Sequence, residues 1–291
     1  MKKIMLSVDG GGVFGAAPSC LLQKMDQSLL KFDGFAGTSI GSAIVGALAT
    51  GVSTAQILDM FEGKMGQVFP QAWYRSLLVF RAKYPDTGLN KVIQELVGST
   101  TRFGDVSAPT FIVAGDLSTN SVKVFDSTKD EDKVLPMWEV IRASVAAPTY
   151  FPPWKNYCDG GIFANNPSMV AVAGALRTLG LDDDDLHMLS LGCGEDLLSK
   201  QKRLSGGSSV IQWGPKLLRM MLDGGANKMH DFFVSAVLGD RVLRIQYNRN
   251  PDWGFDDPGN VEFCLQAWHD AIEGGAAASN SFLRRIRNAQ D

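Results

Sequence analysis

The pentapeptide GTSIG at residues 37–41 could present a serine hydroxyl for nucleophilic attack. It matches the pattern G-x-S-x-G, in which the serine occupies a strained turn between a strand and a helix. Gly37 and Gly41 would prevent side chains from clashing across that turn, and the following helix would direct its free N–H groups toward Ser39. Because this pattern also occurs by chance, a small-residue turn without chemistry remains the alternative.

A nucleophilic serine needs a base, which is usually a histidine or a carboxylate. The histidines of the chain are His187, His230 and His269. None of them stands in a glycine-flanked turn. A carboxylate can serve instead if it hydrogen-bonds the hydroxyl and if partial burial raises its pKa. Asp159, followed by Gly160 and Gly161, is the best candidate, although a D-G-G triplet also describes a plain turn.

A third glycine cluster, VDGGGVFG at residues 8–15, follows the apolar run near the amino terminus. Gly10, Gly12 and Gly15 satisfy the G-x-G-x-x-G spacing of a dinucleotide-binding turn. The same glycines would also let backbone N–H groups approach a phosphate or the oxyanion of an acyl-transfer intermediate. The dinucleotide interpretation requires an acidic residue at the end of the second strand, but Asp33 precedes that strand and GTSIG ends it.

The elements that must position these residues alternate between strands and helices. Residues 3–8 have the pattern of a buried strand, residues 16–30 that of an amphipathic helix, and a small-residue helix follows GTSIG and ends at Gly51. Further predicted elements are helices within 54–96, a hairpin at 111–127, helices at 136–147 and 168–179, and a strand at 187–194. This alternation favours an α/β layer structure with a largely parallel sheet.

The carboxy-terminal part, residues 205–291, is expected to pack on the same unit as the motifs at residues 3–195. It begins with the loop-like sequence SGGSS at 205–209. Its predicted elements are helices near 210–222, 226–238 and 261–273 and a strand at 241–247. We therefore expect residues 1–291 to form a single domain.

Composition excludes several classes of protein and site. A net charge of −3 gives no electrostatic reason to expect a nucleic-acid partner. The four cysteines are scattered without a C-x-x-C pair, so neither a zinc site nor a disulfide framework is indicated. No apolar stretch is long enough to span a membrane. We expect a cytoplasmic protein that contacts membranes only peripherally and needs no metal.

Four segments in order resemble the patatin-like phospholipase family: DGGGVFG, GTSIG, RASVAAPTYFPP and DGGIFANNP, followed by LSLGCG. The resemblance covers roughly residues 3–195. In that family the first segment forms the oxyanion hole, the second the nucleophile elbow, and the fourth carries the catalytic aspartate. The resemblance implies a three-layer α/β/α fold around a mostly parallel sheet.

Carried to this chain, the resemblance makes Ser39 the nucleophile and Asp159 its only catalytic partner. The backbone N–H groups of Gly10, Gly11 and Gly12 become the oxyanion donors. The supporting turns contain Gly37, Gly41, Gly160 and Gly161. No cofactor or metal is implied by this chemistry.

The resemblance also implies membrane lipids as substrates, with phospholipids or lysophospholipids losing a fatty-acyl chain. Amphipathic sequences at residues 73–80 and 214–225 could form a lid that touches the membrane transiently. Helix faces packed in the core are the alternative for both. Bacterial members of the family include effectors switched on by signalling nucleotides, so a nucleotide could act as an activator.

Phe14 departs from the family pattern, which usually has arginine or lysine at this position. We expect its aromatic ring to pack on substrate or on a lid. Asp9 is expected to be a structural acceptor that fixes the glycine loop.

Two alternatives to the Ser39–Asp159 enzyme remain open. One is an esterase with a Ser-His-Asp triad in which His269 is the base. The other is a nucleotide-regulated or catalytically weak effector of the same family.

Overall fold

The structure of the protein is a computed structural model. It describes residues 2–70, 81–180, 183–196, 225–250 and 252–289. Several predicted elements lie outside these ranges. They are the loop at 205–209, the helix at 210–222, the first lid segment at 73–80, and the second lid segment up to residue 224.

A sheet of seven strands forms the centre of the described structure. Its strands are β1 (Lys3–Val8), β2 (Gly34–Thr38), β3 (Thr110–Asp116), β4 (Ser121–Asp126), β5 (Tyr157–Asp159), β6 (Leu186–Leu191) and β8 (Val242–Ile245). The order is β4-β3-β2-β1-β6-β8, and β5 pairs with β3. Neighbours from β3 to β8 are parallel, whereas β4 and β5 are antiparallel to β3. The short strands β7 (Glu195–Asp196) and β9 (Asn248–Arg249) pair separately.

Helices cover both faces of this sheet. They are α1 (Ala16–Lys24), α2 (Ile40–Ala49), α3 (Thr54–Val68), α4 (Asp86–Val97), α5 (Asp130–Lys133), α6 (Met137–Ser144), α7 (Gly161–Ala164), α8 (Ser168–Leu179), α9 (Gly225–Leu238), α10 (Asn260–Ala267) and α11 (His269–Asn288). None of the helices in the described ranges combines the length and apolarity needed to cross a bilayer.

Strand β1 shows why two layers of helices are required. Ile4, Leu6 and Val8 point into the larger core, which α1, α2, α3 and α4 share, while Met5 points into a smaller core with α8 and α9. Side chains alternate across a strand, so a strand that is apolar on both faces must be covered on both. The expected three-layer α/β/α arrangement is confirmed.

The predicted helix over 16–30 is shorter than its apolar pattern indicates. Met25 adopts an extended backbone, with φ −69° and ψ 157°, and ends α1. Asp26 then caps a short 3₁₀ turn, Gln27–Leu29, by accepting a hydrogen bond from the Ser28 N–H at 3.1 Å. Helix α1 therefore ends at Lys24, although the apolar pattern continues to Leu30, because the Asp26 side chain caps a separate turn.

The carboxy-terminal part joins the same layers. Strand β8 extends the sheet beside β6, α9 packs on α8, and α11 packs on α1. Its described residues therefore share the cores of the amino-terminal part.

Candidate active site

Ser39 occupies the junction between β2 and α2, between Thr38 and Ile40. Its backbone has φ 51° and ψ −128°, a conformation that residues with a side chain seldom adopt. Such strain persists only where the surroundings impose it, and it is common at functional sites. The predicted elbow geometry is therefore present at this serine.

Two glycines leave no room for side chains at this junction. A Cβ on Gly37 would lie 2.6 Å from the carbonyl oxygen of Gly41. A Cβ on Gly41 would lie 2.1 Å from the carbonyl oxygen of Val8, on the neighbouring strand. The elbow can thus pack directly on the end of β1 only because both positions are glycine.

Ser144, at the end of α6, links the elbow to β3 through two hydrogen bonds. Its hydroxyl accepts a hydrogen bond from the Ser39 N–H at 2.8 Å and donates one to the carbonyl of Val113 at 2.6 Å. This serine belongs to the RASVAAPTYFPP segment but was not singled out from the sequence. The residues around Ser144 in the sequence do not predict its hydrogen bond with Ser39, which lies 105 positions away.

Asp159 lies at the end of β5 and faces the elbow. The Ser39 Oγ donates a hydrogen bond to Asp159 Oδ2 at 2.6 Å, and the Gly161 N–H donates one to Oδ1 at 2.7 Å. Burial raises the pKa of Asp159 to about 6, although its hydrogen bonds with Ser39 and Gly161 lower it in part. A Cβ on Gly160 would lie 2.2 Å from the carbonyl oxygen of Val113, so the turn also requires a glycine there.

The glycine loop after β1 lies beside this pair, but its three amides are not equivalent. The Gly10 N–H donates to the carbonyl of Asn165 at 3.0 Å and is therefore already occupied. The N–H groups of Gly11 and Gly12 make no hydrogen bond to any residue that the structure describes, and both glycines line the cavity that contains Ser39. Of the three amides predicted as oxyanion donors, those of Gly11 and Gly12 are therefore the two without a hydrogen-bond partner among the described residues.

Asp9 anchors the loop through a partner that the sequence did not reveal. Its carboxylate accepts hydrogen bonds from Arg244 Nη1 at 2.9 Å and from Nη2 at 2.5 Å. Burial lowers the pKa of Arg244, but the charge and hydrogen bonds of Asp9 raise it more, so the guanidinium stays charged. Arg244 lies on β8 and also contacts Ser190 and Asp231. Asp9 thus holds the glycine loop in place by its ion pair with Arg244, a residue of the carboxy-terminal part.

Phe14 does not line the cavity, and the expectation that its ring packs on substrate is wrong. Its side chain is fully buried. The ring packs against Trp253 and Trp268, at centroid distances of 6.4 and 5.9 Å. The guanidinium of Arg249 lies 5.0 Å from its centroid. Phe14 is a core residue that carries a cation on its face.

An apolar cavity opens beside Ser39 and Asp159. About 850 Å³ of this region is free of protein atoms, a volume that includes space open to solvent. Its polar end also contains Gly11, Gly12 and Asn165. Helices α3 and α4 contribute Met60, Met65, Val68, Leu89, Val92, Ile93 and Leu96, and aromatic residues of the wall are Phe69, Tyr150, Phe151 and Phe255. Such a cavity suits a long apolar group attached to a polar, reactive end.

The histidines lie elsewhere. His187 contacts the carbonyl of Asp185, and His230 contacts that of Asn166. The side chain of His269 is 63% exposed and lies near Asp270 on its own helix. None of the three lines the cavity, so the geometry does not bring His269 to Ser39.

Comparisons with known proteins agree with the sequence motifs. The family model described as patatin-like phospholipase matches residues 6–172. The chain is 31% identical over 255 residues to a cGAMP-activated phospholipase of Escherichia coli, covering 74% of this chain and 70% of that protein. It is 29% identical to a cGAMP-activated phospholipase of Vibrio cholerae, over 72% and 70% of the two chains. Similarity to Patatin-12 of Solanum tuberosum is 25%, over 84% and 76%.

Proposed function

The chain belongs to the patatin-like phospholipase family of lipid-hydrolysing enzymes, and we propose that it cleaves fatty-acyl ester bonds of phospholipids or lysophospholipids through Ser39 and Asp159. The observation that carries this proposal is the 2.6 Å hydrogen bond from Ser39 Oγ to Asp159 Oδ2 at the polar end of an apolar cavity. A paired nucleophile and base beside an acyl-sized cavity are what ester hydrolysis requires.

The first half of the reaction forms an acyl-enzyme. Asp159 accepts the hydroxyl proton as Ser39 Oγ attacks the ester carbonyl, and the amides of Gly11 and Gly12 donate to the oxyanion. Each such donor contributes roughly 3 kcal/mol in other serine hydrolases. When the tetrahedral intermediate collapses, the bond to the leaving alcohol breaks and Asp159 returns its proton to that oxygen. The acyl group is then esterified to Ser39.

Hydrolysis of the acyl-enzyme repeats these steps with water. Asp159 removes a proton from the water as its oxygen attacks the acyl carbon, and the same two amides hold the oxyanion. The bond to Ser39 then breaks, and the proton on Asp159 returns to the serine oxygen. The fatty acid leaves and the enzyme is restored. With a pKa of about 6, Asp159 is mainly ionised at neutral pH and ready to act as a base.

Mass spectrometry of phospholipid and lysophospholipid vesicles tests the proposal. The wild-type protein should release fatty acid, whereas Ser39→Ala and Asp159→Ala should not. Ser281→Ala and Asp59→Asn alter exposed residues that do not line the cavity and serve as matched controls. His269→Ala tests the triad alternative, and loss of activity in that variant alone would replace the Ser39–Asp159 pair with a triad.

Activation by a signalling nucleotide is a second proposal, supported by the two bacterial relatives that are named cGAMP-activated phospholipases. The test compares fatty-acid release with and without cGAMP. Binding to the folded state should also raise the unfolding temperature. If saturating cGAMP changes neither the release of fatty acid nor the unfolding temperature, activation by this nucleotide is refuted.

Peripheral action at a cytoplasmic membrane surface completes the proposed function. The apolar cavity supports it, because an acyl chain must leave a lipid layer to enter such a site. Sedimentation of the protein with vesicles tests this part. Protein that hydrolyses dispersed lysophospholipid but never sediments with phospholipid vesicles would act on free lipid instead.

A further inference from the structure

Residues 253–256, which we call the strap, lie against the reactive end of the cavity. The carbonyl oxygen of Phe255 accepts a hydrogen bond from the Val13 N–H at 2.9 Å. A Cβ on Gly12 would lie only 2.2 Å from that oxygen. The strap therefore rests directly on the loop that contains both candidate oxyanion donors, and it lies outside the segment that the family model matches.

The side chain of Phe255 forms part of the cavity wall. Its ring centroid lies 4.6 Å from that of Tyr150, another residue of the wall. The carbonyl and Cβ of Phe255 lie beside Gly12, which lines the polar end of the cavity with Ser39, so the ring extends into the wall from that end. The first carbons of an acyl chain on Ser39 would then pass close to the ring.

Asp256 bonds the strap to the segment that precedes α4. Its Oδ2 accepts hydrogen bonds from Lys83 Nζ at 2.5 Å and from the Tyr84 hydroxyl at 2.6 Å. Burial and the Asp256 carboxylate raise the pKa of Tyr84, so its hydroxyl remains protonated and continues to donate. Lys83 and Tyr84 lie just before Pro85, the residue that precedes α4, and α4 supplies four residues to the cavity wall. The strap is thus fixed both to the glycine loop and to the start of α4.

We propose that Phe255 is a specificity-determining residue that restricts bulk beside the ester carbonyl, and that Asp256 is the positioning residue that holds it there. The inference rests on the proposed acyl-ester hydrolysis. Because the Phe255 carbonyl and the Asp256 side chain are both hydrogen-bonded, the ring between the strap and the cavity has little freedom to move aside. The site should therefore prefer straight acyl chains to chains branched at the carbon next to the carbonyl. One methyl group in an apolar pocket changes kcat/KM by about 10- to 200-fold.

The test compares p-nitrophenyl esters of a straight-chain acid and of its 2-methyl derivative. The wild-type protein should prefer the straight ester by about tenfold or more. Phe255→Ala should reduce that preference to about twofold, and Phe255→Leu should retain part of it. Asp256→Ala should also relax the preference, and Asp256→Asn, which can still accept from Tyr84, should do so less. The matched control is Asp257→Ala, since among the described residues the Asp257 side chain accepts a hydrogen bond only from the Gly259 N–H.

Two results would overturn the inference while leaving the proposed function intact. One is a wild-type enzyme, inactivated by Ser39→Ala, that hydrolyses both esters equally well. The other is a folded Phe255→Ala variant with unchanged preference. If the wild type hydrolyses neither ester, calorimetric binding of the straight and branched fatty acids to the Ser39→Ala protein replaces the rate measurement. An affinity ratio that Phe255→Ala leaves unchanged would then refute the role of this residue.

Discussion

Ser39 Oγ and Asp159 Oδ2 are joined by a 2.6 Å hydrogen bond, and the second carboxylate oxygen of Asp159 accepts from a backbone amide. In a Ser-His-Asp triad an imidazole separates the serine from the carboxylate. Here the carboxylate touches the hydroxyl directly, and burial raises its basicity.

The pH dependence of hydrolysis should report the ionisation of Asp159. Its pKa is raised to about 6, so kcat/KM should fall as the pH drops through about 6 and should be nearly constant above about 7. Asp159→Asn removes the base and should lower kcat by about 10²- to 10⁴-fold. Rates on a soluble ester between pH 4.5 and 8.5 provide the measurement. A rate that remains constant down to pH 4.5 would exclude Asp159 as the base.

The same substitution should stabilise the folded protein at neutral pH. Folding raises the pKa of the Asp159 carboxyl from 3.8 to about 6, because burial disfavours the charged form. Ionisation therefore destabilises the folded state as the pH rises from 3.8, and the full cost is reached above about pH 6. Asp159→Asn should therefore increase the free energy of unfolding by up to about 3 kcal/mol at pH 7. The gain should shrink as the pH falls from 6 toward 4. Urea unfolding of both proteins at pH 4 and 7 measures it, with Asp59→Asn as a control expected to show no such gain.

Gly41→Ala should impair catalysis more than its size suggests. The added Cβ would meet the carbonyl oxygens of Val8 and Asp9, at 2.1 and 2.6 Å, so the elbow must move away from the glycine loop. A displacement of about 1 Å can cost about 10²-fold in rate. Gly63→Ala is the matched control, because its Cβ would meet nothing within 4 Å and should stabilise α3 by about 1 kcal/mol. Unchanged kcat in a folded Gly41→Ala protein would contradict the tight packing.

Arg244→Met should destabilise the protein and slow catalysis. The substitution leaves the buried Asp9 carboxylate without its ion pair, which typically costs about 3–5 kcal/mol. Because Asp9 immediately precedes the glycine loop, kcat should fall more than KM rises. Adding Asp9→Asn should recover much of the lost stability, since the unpaired charge is then removed. The exposed pair of Arg284 with Asp26 is the control, and Arg284→Met should change stability far less than Arg244→Met.

The length of the acyl chain of the substrate should control the rate of hydrolysis of simple esters. Each methylene that enters the apolar cavity contributes about 0.8 kcal/mol, or roughly fourfold in kcat/KM. A series of p-nitrophenyl esters from acetate upward should therefore show a steep rise that ends when the cavity is filled. The lining residue Ile93 offers a check, because Ile93→Asp should reduce the slope of the series. A series without any dependence on length would remove the cavity as the acyl site.

The sequence predicted the parts of the site that depend on local chemistry. GTSIG and the D-G-G turn are short patterns whose glycines and polar residues act on their immediate neighbours, and both lie where the alternation of strands and helices placed them. Contacts between distant segments could not be predicted. Arg244 meets Asp9 across 235 positions, and the Gly10 amide meets Asn165 across 155, because strand register and connection order bring them together. Periodicity contains no information on either.

The order of the strands has a consequence for what this site could bind. From β1 the chain passes through α1 on one face to β2, and later through α8 on the opposite face to β6, on the other side of β1. The end of β1 is therefore a topological switch point, where connections diverge and leave a crevice outside the strand ends. Doubly wound nucleotide-binding proteins use such a crevice for phosphates. The dinucleotide-like spacing of Gly10, Gly12 and Gly15 thus reflects a loop that enters this crevice, and the side chains around the loop are mostly apolar.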